Sequence, residues 1–325
     1  MSTTVGLALT DYGRRDVWLA ARAKGIGASD AAKLFTDDDG CSLSPHGTAY
    51  TLWLEKTGQI TPDAVDSEHT EMGHRLEPVI ADIYADRTGR KVVHAGPFCV
   101  AVHQRLPFMR ATPDRYVPEA HDRMGRGLCQ IKNAGWYKAH DWSEGVPLAI
   151  QIQVQAEMAC TGFDWDSVAV LLGGWEFKTF DVERDPDFIA VLEERCAWFW
   201  DLVERFKAGD PEAAPPVDGS AKTTEALKRL HPKDNGATAR LPEQALAWLQ
   251  AMQDAKADAE MAETAARWAE NKLRAAIGAA TWGELPNGRR LSLKTTDVKG
   301  GTKDTEPYSY RTLRLEKADT KGKSR

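Results

Sequence analysis

Between residues 70 and 207 the spacing of apolar residues switches from helical to extended and back, and that succession restricts the chain to an α/β fold. Met72, Leu76, Val79, Ile80, Ile83 and Tyr84 recur at three and four, which predicts one face of a helix over 70–88, closed by Gly89. Glu77 sits at the edge of that face. Short runs at 91–94, 98–103, 107–111 and 128–132, broken by Gly and Pro, read as strands. A helix over 149–161, strands over 167–172 and 176–182, and a long amphipathic helix over 187–207 complete the series. Upstream, 16–35 reads as two helices around a Gly25-Ile26-Gly27 turn, the second capped by Ser29 or Asp30, and 48–56 as a further short helix. The order predicts an α/β core with a mixed central sheet flanked by helices.

A stretch rich in Ala, Pro, Asp and Gly from 208 to 220 reads as a linker, and the composition changes beyond it. The expected division is a core domain over 1–210, a linker over 211–220 and a mostly helical C-terminal region over 221–325. Within the last part, 241–277 is dense in Ala, Glu, Lys and Arg, with Leu246, Leu249, Met252, Met261, Ala265, Trp268 and Leu273 roughly at helical spacing. One long helix or a helical hairpin satisfies that pattern, with the stripe as a packing face. Pro286-Asn287-Gly288 reads as the turn of a β-hairpin, and the last ten residues as a disordered basic tail.

An apolar fraction of 42% over 325 residues is enough for a buried core. Cys41, Cys99, Cys129, Cys160 and Cys196 are widely separated, with no CxxC pair, which argues against a structural zinc site or an iron-sulfur cluster and fits reduced packing thiols. No apolar run has signal-peptide or membrane-span length, so the expectation is a soluble cytoplasmic protein with no membrane partner. A net charge of −6 argues against purely electrostatic nucleic-acid binding. It is compatible with an enzyme that gathers carboxylates around divalent cations beside a local basic groove.

Asp114 follows Pro113 at the end of a strand, and Gln130-Ile131-Lys132 lies sixteen residues on in the next one. Strand alternation puts Gln130 and Lys132 on one face, where an adjacent antiparallel strand would bring Asp114. Hydrolysis of a phosphodiester needs charge neutralisation and a deprotonated water, which hard cations on oxygen ligands supply. The five histidines from His69 to His121 lack metal-ligand spacing. Trp136, Tyr137 and Trp142 follow the site strand and either stack on bases or pack locally. Asp37-Asp38-Asp39 reads as an exposed turn.

Pro113-Asp114 followed by Gln130-x-Lys132 resembles the PD-(D/E)xK nuclease signature. Around it, Gly25-Ile26-Gly27-Ala28-Ser29-Asp30 with Arg22 before it, Gly73-His74-Arg75-Leu76-Glu77, Ala111-Thr112-Pro113-Asp114 and Gln151-Ile152-Gln153-Val154-Gln155 resemble, in order, the motifs of YqaJ-like or lambda-exonuclease-like phage recombinase nucleases. The resemblance implies a restriction-endonuclease-like core and a metal-dependent 5'-to-3' exonuclease acting on double-stranded DNA ends. By it, Glu77, Asp114, Gln130 and the Ile131 carbonyl would hold two Mg2+ or Mn2+ ions, and Lys132 and Gln153 would act on water and phosphate. Arg22, Ser29 and Thr112 would bind a 5'-phosphate. It further implies a ring-shaped homo-oligomer, a trimer, a single-strand annealing recombinase as partner, and the bacterial host cytoplasm as location.

Gln130 departs from the signature, which usually carries an acid there. It keeps an oxygen ligand and loses a negative charge. A tolerated natural variant, an engineered inactive version and a natural loss of catalysis in a DNA-end-binding or assembly protein all satisfy the sequence. An endonuclease of the same superfamily is a further alternative.

Overall fold

The structure is a computed structural model and describes residues 9–62, 68–94, 96, 98–298 and 308–315. It divides into two compact units, Met1–Asp234 and Asn235–Arg325. The expected basic tail lies outside the described residues.

The first unit opens with β1 (Leu9–Asp11), α1 (Arg15–Ala23), β2 (Ile26–Gly27), a 3-10 helix (Ala28–Leu34), α2 (Ala49–Lys56) and α3 (Glu68–Thr88). It continues with β3 (Cys99–Val102), β4 (Met109–Ala111), β5 (Arg115–Val117), β6 (Gly127–Ala134), a 3-10 helix (Trp136–Trp142) and α4 (Leu148–Thr161). It closes with β7 (Trp165–Leu172), β8 (Glu176–Glu183), α5 (Pro186–Lys207) and α6 (Ala221–Leu230). The expected α/β core with a mixed sheet flanked by helices is what these elements form.

The central sheet runs β5-β6-β7-β8, with β6 and β7 parallel and the outer pairs antiparallel. Parallel neighbours need a crossover, and α4 supplies it. Gly162 ends α4 in the left-handed conformation, φ 71°, and turns the chain into β7. Every residue of β7 is buried because both faces of the sheet are covered. Ile80, Ala81 and Tyr84 of α3 pack on Cys129, Ile131, Ala169 and Leu171. Val154 and Met158 of α4 pack on Leu128, Val168, Val170 and Leu172 of the opposite face. Gln130 and Lys132 alternate with Cys129 and Ile131, so they lie on the α4 side.

A second sheet, β1-β3-β4-β2, ends beside the 3-10 helix at Ala28–Leu34. Beneath it Ile26, Leu52, Trp53, Met109, Ala156, Leu192 and Phe199 form one cluster. Buried Arg90 ties the end of α3 to the central sheet: it pairs with Asp181 at 2.8 Å and Asp122 at 2.6 Å and bonds Ser167 Oγ at 2.9 Å. Its guanidinium also lies 5.0 Å from the Trp165 ring centre.

Several elements differ from the sequence expectation. The strand expected at 91–94 is a single bridge from Val93 to Tyr116. The helix expected after Gly27 is a 3-10 helix with Gly27 in the cap position and no side-chain cap from Ser29 or Asp30. Thr48 caps α2, in a reciprocal pair with Thr51. Trp142 is buried and stacks on Phe180, whereas Trp136 and Tyr137 are exposed. Asp37 closes an exposed turn by accepting the Asp39 and Cys41 N–H groups. All five cysteines are free thiols, four of them buried.

Residues 221–230, grouped by composition with the C-terminal region, belong by contact to the first unit. Ala226 of α6 enters the cluster around Leu52, Thr223 Oγ1 lies 3.1 Å from Thr48 Oγ1, and Arg229 donates to the Thr61 carbonyl. The preceding segment is packed as well. Ala213 is fully buried, and Asp218 Oδ2 accepts from Thr223 Oγ1 at 2.9 Å.

In the second unit, α7 (Gln244–Ile277) is one continuous helix of 34 residues with none buried. The expected hairpin joins β9 (Trp282–Glu284) to β10 (Arg290–Val298) through a turn with Gly288 at φ 78°. A third strand not foreseen in the sequence, β11 (Tyr308–Leu315), pairs antiparallel with β10. Among the described residues no helix is long and apolar enough to cross a membrane.

Candidate active-site cleft

Asp114 lies between β4 and β5, where Pro113 has no N–H to continue a ladder. Its Oδ2 accepts the Ile131 N–H at 2.8 Å and the Gln130 amide Nε2 at 2.5 Å, so one carboxylate oxygen reads two consecutive residues of β6. Burial pushes the Asp114 carboxyl up to about 6, with Glu77 adding to the rise while Lys132, the Ile131 N–H and Arg115 oppose it. Glu77 reaches the same place from α3, and its Oε1 is bound by Arg115. Arg115 also donates to the Asp114 carbonyl at 2.6 Å.

Across β6, Lys132 Nζ donates to Gln153 Oε1 at 3.0 Å, and Gln153 Nε2 donates to Glu157 Oε1 at 2.8 Å. The Gln130 N–H donates to Asp166 Oδ1 at 3.1 Å. Glu157 and Asp166 are both fully buried carboxyls held well above the ordinary range, chiefly by burial, with Asp114 adding to the rise of Glu157, and Glu157 and Asp114 adding to that of Asp166.

At the other end, Gly27 brings the backbone close to two predicted phosphate ligands. A Cβ there would lie 3.6 Å from the Arg22 guanidinium and 3.8 Å from Ser29 Oγ. Arg22 stacks over Trp18 at 4.6 Å. Half-buried Asp30 is anchored by Lys33 at 2.8 Å and stays below the ordinary carboxylate range: burial raises it, but Lys33, Lys56 and Arg22 outweigh that.

The metal, catalytic and phosphate residues expected from the sequence line one cleft of about 630 Å³: Glu77, Asp114, Gln130, Ile131, Lys132 and Gln153 together with Arg22, Ser29 and Thr112. Trp136 and Tyr137 are not part of that lining. The cleft also takes in Arg15, Arg110, His74, His94 and Glu157, which sequence reasoning missed. Two of the residues missed in the sequence had a legible signal: Arg115 directly follows Asp114, and Glu157 stands four residues after Gln153, on the same face of α4. Arg110 and the histidines had none, because strand packing and the course of the loops place them.

Among the described residues no three His, Cys, Asp or Glu side chains stand close enough to enclose an ion by themselves. The oxygen set is mixed instead. Gln130 Oε1 and Glu157 Oε2 are buried acceptors with no donor, which is what a hard cation would satisfy. The residues therefore fit a divalent ion held by carboxylate and amide oxygens.

The chain is 30% identical over 220 residues to the YqaJ protein of Bacillus subtilis, covering 67% of this chain and 63% of that one. An alkaline exonuclease from Laribacter hongkongensis is similar in structure, with 23% identity, a TM-score of 0.47, and coverage of 59% of this chain and 93% of its own. A phage-related exonuclease from Haemophilus somnus shows 13% identity and a TM-score of 0.42, over 57% of this chain and 95% of its own. Residues 17–164 match the YqaJ-like viral recombinase domain, and this span holds Arg22, Ser29 and every residue of the Asp114 centre from Glu77 to Glu157. The chain thus carries a domain of the YqaJ-like viral recombinase family.

Proposed function

We propose that this protein is a metal-dependent 5'-to-3' exonuclease that hydrolyses double-stranded DNA from its ends in phage-type recombination. The observation that carries the reading is the single cleft joining the Asp114, Gln130 and Lys132 cluster to Arg22, Ser29 and Thr112. A free 5'-phosphate on the guanidinium and hydroxyls would set the next phosphodiester over Asp114. Asp114, Glu77, Gln130 and the Ile131 carbonyl would hold Mg2+ or Mn2+, two ions in all, which when bound neutralise charge on the scissile phosphate. Lys132, steered by Gln153, orients the attacking water and stabilises charge on the phosphorane. The annealing recombinase, the trimeric ring and the host cytoplasm are part of the same proposal and rest on the family resemblance.

The test is degradation of linear duplex with Mg2+ or Mn2+, comparing 5'-phosphorylated with 5'-hydroxyl ends. Faster loss of the phosphorylated end is expected, with Arg22→Ala erasing the preference and Lys132→Ala lowering turnover at least ~100-fold in a folded protein. No cleavage by the chain, and none by Gln130→Glu, would refute the exonuclease reading. Nicking of closed circular DNA would favour an endonuclease instead.

Gln130 favours one second reading: a catalytically silent protein that binds DNA ends. Its signature is duplex binding that needs Arg22, with no turnover at any divalent-ion concentration.

A further inference from the structure

The floor of the cleft buries more acid than the sequence motif accounts for. Glu157 and Asp166 lie on the α4 side of the central sheet, 1% and 0% exposed, below Asp114. Each has one oxygen bonded, to the Gln153 amide and to the Gln130 N–H. Glu157 Oε2, Asp166 Oδ2 and Gln130 Oε1 remain buried without a donor. Lys132 gives its hydrogen bond to the neutral Gln153 amide and closes no ion pair with Asp114 or Glu157. Asp166 is tied to the backbone beneath β6, whereas Glu157 lines the cleft itself.

Building on the metal-dependent reading above, we propose that Glu157 supplies the acidic charge that Gln130 lacks, so that the cation centre draws on Asp114 and on helix α4. The charge is moved rather than lost. Gln130 provides a neutral oxygen and the side-chain amide that donates to Asp114, and Glu157 provides a buried carboxylate one turn beyond Gln153. Gln153 is a positioning residue between them, accepting from Lys132 and donating to Glu157, which keeps the cationic side chain off the carboxylate.

The experiment is Mn2+ titration by calorimetry on the full chain, with melting curves with and without Mn2+, for the wild type, Glu157→Gln, Gln130→Glu and the exchange Gln130→Glu/Glu157→Gln. Glu157→Gln is expected to weaken Mn2+ about ten-fold or more while raising the melting temperature of the metal-free protein. The exchange variant is expected to recover most of the affinity. Gln130→Glu alone is expected to melt lower without metal and to gain more from Mn2+ than the wild type. Wild-type binding with unchanged affinity in Glu157→Gln would overturn the inference alone, since a purely structural acid is replaced by its amide at no cost to the metal. A wild type that binds no Mn2+ would overturn the metal reading and this inference with it. If Glu157→Gln fails to fold, the exchange variant decides: folded but unable to bind Mn2+, it refutes the proposal.

Discussion

Asp114 holds its proton to about pH 6 because it is buried beside Glu77, whereas in an unfolded chain it would ionise near the model-peptide value of 3.8. Between those values the folded protein binds more protons than the unfolded one, so its stability falls as pH rises through the window. Glu157 and Asp166, shifted in the same direction, extend the fall toward neutral pH. Urea unfolding in EDTA should therefore show a midpoint that declines from pH 4 to 7, less steeply in Asp114→Asn. Saturating Mg2+ or Mn2+ should flatten the decline, because a bound cation replaces the proton. An identical slope in the wild type and Asp114→Asn would show that Asp114 is not the group responsible.

At the scale of elements, the cleft depends on how closely β6 approaches β7. Gly127 opens β6 under the Trp165 ring, and a Cβ there would sit 2.3 Å from ring atoms. Arg90 and Arg123 hold that ring at 5.0 and 4.9 Å, so it has little freedom to retreat. Gly127→Ala should therefore cost about 1–3 kcal/mol of overpacking, read as a lower urea midpoint. Because β6 carries Gln130 and Lys132, metal affinity should fall with it. Gly145→Ala, where nothing lies within 4 Å of the added Cβ, tests the backbone effect alone, its φ of 136° being the only strain. The same packing shows why β7 was legible in sequence and β1, β5 and β11 were not. β7 reads as a continuous apolar run because α3 and α4 cover both its faces. β1, β5 and β11 are short or polar and exist through pairing with a neighbour.

For the molecule as a whole, the unit boundary at Asp234 makes a prediction about truncation. A chain ending after Asp234 keeps α6 against Leu52 and the Thr48 to Thr223 contact. It should melt in one transition with unchanged Mn2+ affinity. A chain ending at Pro216 loses Ala226 from the core and the bond from Asp218 to Thr223, and should melt several degrees lower, ~1–3 kcal/mol at this size. Equal melting of the two would show that α6 adds nothing to the first unit. Light scattering on the full chain and on the shorter form tests whether α7, with Leu246, Trp248, Met261 and Trp268 exposed, contributes to assembly.

Periodicity and residue type were enough, without coordinates, to specify the α/β class, the helix that carries Glu77 and the shared face of Gln130 and Lys132, since alternation and helical spacing are local properties of the chain, whereas the nine cleft residues came from the resemblance of the motifs to a known family. Tertiary structure alone decided that α6 belongs with the first unit, that Trp142 is core while Trp136 is exposed, and that Arg115 grips Glu77. It also decided that Glu157, whose spacing from Gln153 gives only a shared helix face, lies buried at the floor of the Asp114 cleft. Burial and donor supply are sums over elements distant in sequence, so no local pattern records them.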